Sequence, residues 1–443
     1  MRIDVLSLYI SLVGCSHGST LSTLLYLQHR LLYLLPHQLS VHMTSLVETR
    51  LPVFVHDLRH SWIEDKANLA WLEQRPDPLH DLCDPSGEIE GQPPSRVIPR
   101  DLFDRLDIDN NRYQLPRGES VDRHAWINLQ NRLEEMKKCP AALQQVTYLN
   151  LEIFLSAFDE VDPNENTIEL LADVLLSMPN LAMLRWNIPT AFNPRFEKTF
   201  ARRGVKLMGV THLTVGSKGH FIISVCPNIE DLKNEIPVHY CSWKPRLRWE
   251  ESIDVLLQVF SGAKKLRNLS IGCMDTWSPE FAREIVVAVP NLVQLTMMGQ
   301  LINTWSESGM EATALVHSVL YALREAHNLT TLHLPESYDL GLGFDGGPFC
   351  GNAYMGPSGY LTSRQTMRGH ITAVDQGILL AWTALPHLKN ITIAGTPPVS
   401  VQRDEKGQVM KVTHEWTGRV EQYLEEEYPA PKKGDIVDGE LVT

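Results

Sequence analysis

The chain has 443 residues, 43% of them hydrophobic and 21% charged, which suffices for one large core or two smaller ones. Its formal charge of −13 opposes a protein that grips nucleic-acid phosphates through a broad basic surface, because that binding draws on counterion release by clustered Lys and Arg. Seven scattered cysteines, without a C-x-x-C pair, form neither a disulfide framework nor a zinc knuckle and fit a reducing compartment, cytoplasmic or nuclear.

Residues 1–50 are apolar and poor in acids, with Asp4 alone before Glu48. The run 5–13 has little positive charge ahead of it, and the run 21–35 is broken by Gln28, His29 and Arg30, too polar for a span of ~20 apolar residues. A helical segment burying one face is the simpler reading, and no membrane partner is expected. Gly14-Cys15-Ser16-His17-Gly18 matches the G-x-S-x-G of a nucleophile elbow, between a strand-like and a helix-like run. A hydrolase sheet needs earlier strands and an oxyanion donor before that point, and little chain precedes Gly14. A serine hydrolase fragment built on Ser16 therefore stands as the alternative to a non-catalytic protein. Leu35-Pro36-His37-Gln38-Leu39, followed by Met43 and Leu46, is similar to the opening of an F-box, in degenerate form; an F-box docks on a ubiquitin-ligase adaptor.

Residues 51–140 read as an irregular region leading into the repeats. A strand is expected over 53–58 and a short helix through Trp62, Leu69 and Leu72. The pairs His56/His60 and His80/Cys83 fall short of four ligands, so no metal site is expected. Residues 84–120, rich in Pro, Gly and charge, read as a loop. Asp107, Asp109 and Asn111 match the first ligand places of an EF-hand, but Arg112 replaces the obligatory Gly and Gly118 the bidentate Glu, which excludes calcium. Over 121–138, Ala125, Trp126, Leu129, Leu133 and Met136 share one helical face, as a capping helix would.

From 141 to 400 one pattern recurs. Strands of the form L-x-x-L-x-L begin at Val146, Leu181, Val210, Ile229, Leu266, Leu292, Leu329 and Leu388, at steps of 35, 29, 19, 37, 26, 37 and 59 residues. Helical runs over 168–178, 253–260, 281–289, 312–326 and 378–384 lead into "MPNL", "VPNL", "AHNL" and "LPHL", where Pro or a polar residue stops the helix. One strand and one returning segment per unit, neither able to bury its apolar face alone, predict an α/β leucine-rich-repeat solenoid: a curved parallel sheet with helices on the outer face. The fourth strand fits least, since Asn234 falls where an apolar residue is due.

This alternation resembles the irregular leucine-rich repeats of fungal F-box-type proteins, above all in residues 169–188, "ELLADVLLSMPNLAMLRWNI", and the resemblance spans 141–394. It implies a non-catalytic interaction scaffold serving as the substrate-recognition subunit of an SCF-type ubiquitin ligase, with the adaptor held through the N-terminus. Eight places after each marker, where regular repeats carry Asn or Cys, stand Phe154, Pro189, Lys218, Pro237, Met274, Gln300, Ser337 and Thr396, so no asparagine ladder is expected. Strand alternation puts every second side chain on the concave face. There Tyr148, Asn150, Glu152, Met183, Arg185, His212, Asp231 and Lys233 are the expected contacts for a protein partner, charged or aromatic in the early strands where the late strands are neutral. No cofactor is implied.

Residues 335–369, rich in Gly and aromatic side chains, read as a loop insertion. Its G-x-G-x-x-G, Gly341, Gly343 and Gly346, lacks the helix and the downstream acid that dinucleotide binding needs. In 401–443, Val412, Trp416, Val420 and Tyr423 predict a capping helix, and the acidic residues from Pro429 a disordered tail.

Overall fold

The computed structural model describes residues 53–75, 78–83, 98–109, 125–153, 162–216, 219–235, 257–272, 276–301, 310–348, 350–396, 399–438 and 440–442. The chain divides into Met1–Arg50 and Leu51–Thr443, and all described residues belong to the second unit. The expected N-terminal helical segment, the Ser16 elbow and the F-box-like stretch therefore lie outside them.

The second unit is an α/β structure built on a nine-stranded parallel sheet. Strands β1 (Arg105–Asp109), β2 (Tyr148–Glu152), β3 (Met183–Asn187), β4 (His212–Val215), β5 (Asp231–Asn234), β6 (Asn268–Gly272), β7 (Gln294–Met298), β8 (Thr331–Leu334) and β9 (Asn390–Ile393) lie side by side in chain order. Parallel neighbours cannot be joined by a tight turn, so each needs a returning segment. Helices α1 (Ala125–Lys137), α2 (Glu165–Leu176), α3 (Asn193–Arg203), α4 (Pro279–Ala288), α5 (Met310–Ala322) and α6 (Gly359–Ala384) supply the longer returns. They pack on one another as α1 on α2, α2 on α3, α4 on α5 and α5 on α6.

Two helix starts show the local grammar. Asn164 accepts a 2.7 Å bond from the Thr167 amide to open α2, after which Ile168, Leu171 and Leu175 bury one face. Ser278 accepts from the Phe281 amide at 3.1 Å to open α4, with Pro279 at its first position.

A single apolar row crosses the whole sheet in register: Leu106, Leu149, Leu184, Leu213, Leu232, Leu269, Leu295, Leu332 and Ile391. None is more than 4% exposed. Burying each contributes roughly 1.5–3 kcal/mol, and a parallel stack allows the row to continue from strand to strand. A second inward row holds Ile108, Leu151, Trp186, Val215 and Asn234. Trp186 anchors a nest of edge-on rings with Phe196, Phe200 and Phe221, and its indole N–H donates to buried Asn193 at 3.1 Å. Asn234, the misfit of the fourth expected strand, is 2% exposed, and among the described residues its side-chain oxygen has no hydrogen-bond partner.

Strands β2 to β9 coincide with the eight expected strands, whereas β1 is a ninth strand, inside the stretch expected to be a loop. Its Leu106 and Ile108 point inward, and Asp107, one of the calcium-like positions, is 1% exposed, paired with Arg59 at 3.0 Å and with the Asn150 amide at 2.9 Å. The expected strand over 53–58 is instead a 3-10 helix, Val53–Asp57, followed by one antiparallel bridge between Leu58 and Leu106.

No asparagine stands at the eighth place after a marker, but four asparagines form cross-strand bonds at another place. One residue before four of the eight markers, Asn180 donates to the Gln144 carbonyl at 2.6 Å, Asn228 to Met208 at 2.8 Å, Asn291 to Lys264 at 3.2 Å and Asn328 to Pro290 at 3.5 Å. Each bond joins a strand's start to a carbonyl just ahead of the preceding strand, and all four bonds are exposed.

The insertion and the C-terminal region are more ordered than expected. Helix α6 begins at Gly359, ten residues before the expected loop ends at 369. Its Gly369 is a place where an added Cβ would come 2.8 Å from the Phe344 ring, so the composition that discourages a helix is what lets the insertion pack on it. Gly341, Gly343 and Gly346 all have φ between +69° and +86°, left-handed turns that favour glycine, and no helix opens after them. Val412 lies in a hairpin of β10 (Ser400–Arg403) and β11 (Val409–Thr413), not in a helix. The helix α7 (Val420–Glu427) follows, and the stretch expected to be a disordered tail carries a short hairpin, β12 (Ile436–Val437) with β13 (Glu440–Leu441). Arg368 donates to Glu421 at 2.8 Å and so ties α7 to α6. Among the described residues no helix is long and apolar enough to cross a membrane.

Candidate functional site

The face of the sheet opposite the apolar row carries two further rows in register. One runs Arg105, Tyr148, Met183, His212, Asp231, Asn268, Gln294, Thr331, Asn390; the other Asp107, Asn150, Arg185, Thr214, Lys233, Ser270, Thr296, His333, Thr392. All eight expected contact residues stand on or at the end of these rows, Glu152 at the end of β2.

The early strands satisfy themselves. Arg185 reaches both oxygens of Glu152 at 3.2 Å and Glu235 at 2.8 Å, while Lys233 bonds the other Glu235 oxygen at 2.9 Å and Asn187 donates to Glu152 at 3.2 Å. Burial opposes the charge on Arg185, but Glu235 and Glu152 outweigh it and hold the guanidinium above the ordinary arginine range. Burial likewise pushes Glu235 up, yet its bond to Lys233 and the charge of Arg185 bring it below the usual carboxylate value. His212 Nε2 meets Asp231 at 2.9 Å, and the Arg105 guanidinium covers the Tyr148 ring at 4.3 Å. Met183, 39% exposed, is the large apolar side chain on this part of the face.

The middle strands differ. Across β4 to β7 the small side chains Thr214, Ser270 and Thr296 leave a shallow depression of about 180 Å³, with His212, Asp231, Lys233, Asn268 and Gln294 around it. Among the described residues the side chains of Thr214, Asn268, Gln294 and Thr296 have no hydrogen-bond partner, and Ser270 faces only the Met298 sulfur at 3.9 Å. Unspent donors and acceptors thus gather where the surface is hollow. Farther on, His333 bonds Thr392 and Asn390 donates to Thr331 at 3.4 Å.

Of the eight expected residues, the structure brings His212, Asp231 and Lys233 to the depression and leaves Tyr148, Asn150, Glu152, Met183 and Arg185 outside it, on β2 and β3. Thr214, Asn268, Ser270, Gln294 and Thr296 share this face but are not among the expected contacts, because residue-type preference favours large side chains whereas a hollow is made by small ones. The available signal was their run as short polar residues in consecutive strands.

Of the paired residues considered as metal ligands, His60 accepts from the Trp62 amide at 3.1 Å and His80 and Cys83 lie on the helix Pro78–Cys83. Among the described residues no three His, Cys, Asp or Glu side chains gather as a metal-binding group. The chemistry the depression offers is hydrogen bonding to a ligand laid across the strands. The sequence matches no protein-family model, and comparison with curated proteins finds no match.

Proposed function

We propose that the chain is an irregular leucine-rich-repeat solenoid acting as a non-catalytic protein-interaction scaffold, with its partner seated on the open sheet face over β4 to β7. The observation that carries this reading is the cluster of unpartnered Thr214, Asn268, Gln294 and Thr296 side chains above an unbroken apolar row. The solenoid reading is supported by the strand order, by the buried marker residues and by the cross-strand bonds of Asn180, Asn228, Asn291 and Asn328. Side chains that are polar, uncharged and unspent suit a peptide backbone or amide-bearing surface better than a phosphate backbone. The similarity of Leu35–Leu46 to an F-box supports a role as a ubiquitin-ligase substrate receptor.

Two measurements test the parts separately. Proteins captured by the full chain are compared with those captured by Ser270→Arg/Thr296→Arg and by the helix-face control Leu176→Arg. The reading expects one partner lost from the double variant alone, at unchanged melting temperature; a partner retained by both variants overturns the assignment of the face. Gel filtration of the full chain with a purified ubiquitin-ligase adaptor tests the ligase role. Co-elution abolished by Leu35→Asp/Leu39→Asp supports it, and separate elution overturns it without touching the scaffold.

A further inference from the structure

A second surface stands out on the helical layer. Between α4 and the end of α5, with the 3-10 turn Leu323–Glu325 that follows, lies a groove of about 670 Å³, in the range that accommodates small ligands. Arg283, Arg324, His317 and His327 line it together with Tyr321, and Glu325 is the one carboxylate in its lining. In a chain of net charge −13, such a concentration of cationic and imidazole groups needs an explanation.

Arg324 carries the argument. Its guanidinium lies 5.4 Å from the Tyr321 ring centroid and donates to the Tyr321 hydroxyl at 3.3 Å, and among the described residues it has no carboxylate partner. The imidazole of His317 stacks against the same ring, at 6.0 Å and 27°. Tyr321 is 51% exposed and contacts both His317 and Arg324, and the planar fork of Arg324 keeps most of its N–H groups unspent. Among the described residues Arg283 pairs with Glu280 alone, at 3.4 Å on an exposed helix surface, a contact that water and salt weaken. Ser318 contributes little, because its hydroxyl already donates to the Leu315 carbonyl at 2.7 Å. Nearby His387 feels the same cationic surroundings: burial pushes its pKa down first, a bond to the Ala326 backbone pushes it up, and His327 and Arg324 push it down again.

A fixed guanidinium edge, a second arginine on another helix and two imidazoles surround a space larger than a bare ion. A carboxylate would use one fork. A phosphate monoester, with about two charges and three acceptor oxygens, uses donors from several elements at once and leaves room for the group it esterifies. We propose that this groove is a binding site for a phosphate monoester, separate from the open sheet face. The ester is either a free metabolite or a phosphorylated side chain of another protein.

Calorimetric titration of the full chain at fixed ionic strength tests this. The probes are inorganic phosphate, O-phospho-L-serine, a ten-residue phosphoserine peptide and the same peptide unphosphorylated. Phosphorylated probes should bind and the unphosphorylated peptide should not. Arg324→Gln should weaken binding about tenfold or more, Arg324→Lys should restore it only in part because the fork is lost, and Glu325→Gln should strengthen it a few-fold. All three substitutions are at the surface, and melting curves check that each variant is folded. Much tighter binding of the phosphopeptide than of phosphoserine identifies a phosphoprotein ligand, and equal binding a metabolite. Equal affinity for both peptides, or affinities unmoved by both Arg324→Gln and Glu325→Gln, overturns the proposal.

Discussion

The two halves of the open sheet face are built from the same backbone and differ in how their polar groups are spent. On β2 to β5, Arg185, Glu152, Glu235 and Lys233 form one cross-strand network in which each charge has a partner. On β6 and β7, Asn268, Gln294 and Thr296 keep their hydrogen-bonding capacity and leave a hollow. Charge, which marks a surface as interactive in the sequence, here marks the part that is already satisfied. Neutral short side chains mark the part that can still bind.

The comparison breaks most severely if the shared core is cut. Leu269→Asp or Leu295→Asp places a charge among residues at most 4% exposed, at a cost of several kcal/mol, and should abolish cooperative melting by circular dichroism. Thr296→Asp, one place along from Leu295 and on the open side, should melt like the native chain. Next comes Arg185→Ala, which leaves Glu152 and Glu235 facing each other partly buried. A stability loss of about 2 kcal/mol in urea titration is expected, relieved in part by adding Glu235→Gln. The sequence marks Arg185 only as an expected partner contact, whereas its pairing with both Glu152 and Glu235 makes it structural.

Acid should separate the halves more gently. Because the pKa of Glu235 is lowered in the fold, its pairing stabilises fully above the unfolded carboxylate value, near pH 4.3, and is lost as pH falls through the folded value. Amide protection factors on β3 to β5 should therefore fall below about pH 4 before those on β7 to β9, and Glu235→Gln should remove part of the difference. A uniform loss of protection across the sheet would contradict the network's role. The smallest effect expected is a gain. Asn234→Val replaces a buried carbonyl oxygen without a partner by an apolar group beside Val215, and should raise stability by about 1 kcal/mol in the same titration.

Much of this architecture was legible because leucine spacing reports directly on burial. Val146, Leu181, Val210, Ile229, Leu266, Leu292, Leu329 and Leu388 are all buried where the pattern placed them. Strand β1 escaped because five residues with two inward apolar positions do not stand out among prolines and charges. The asparagines stand in "PNL", "PNI" and "HNL", but their irregular recurrence, before four of the eight markers, does not reveal the carbonyl each one meets across the sheet. The depression was not legible at all as a single-strand property, since it depends on how short Thr214, Ser270 and Thr296 are beside their neighbours across four strands. Trp416 illustrates the same limit at the C-terminus. It is buried by His414, His370 and Tyr423, partners from β11 onward and from α6 that no local helical pattern connects.

The most direct test of the binding face uses a photo-crosslinking p-benzoylphenylalanine in place of Ser270 on β6 or of Leu176 on α2, each in the full chain within cells. Irradiation is predicted to give a discrete protein adduct from position 270, none of the same mass from position 176, and loss of the adduct when Thr296→Arg fills the hollow. An adduct from position 176 with none from 270 would contradict the account.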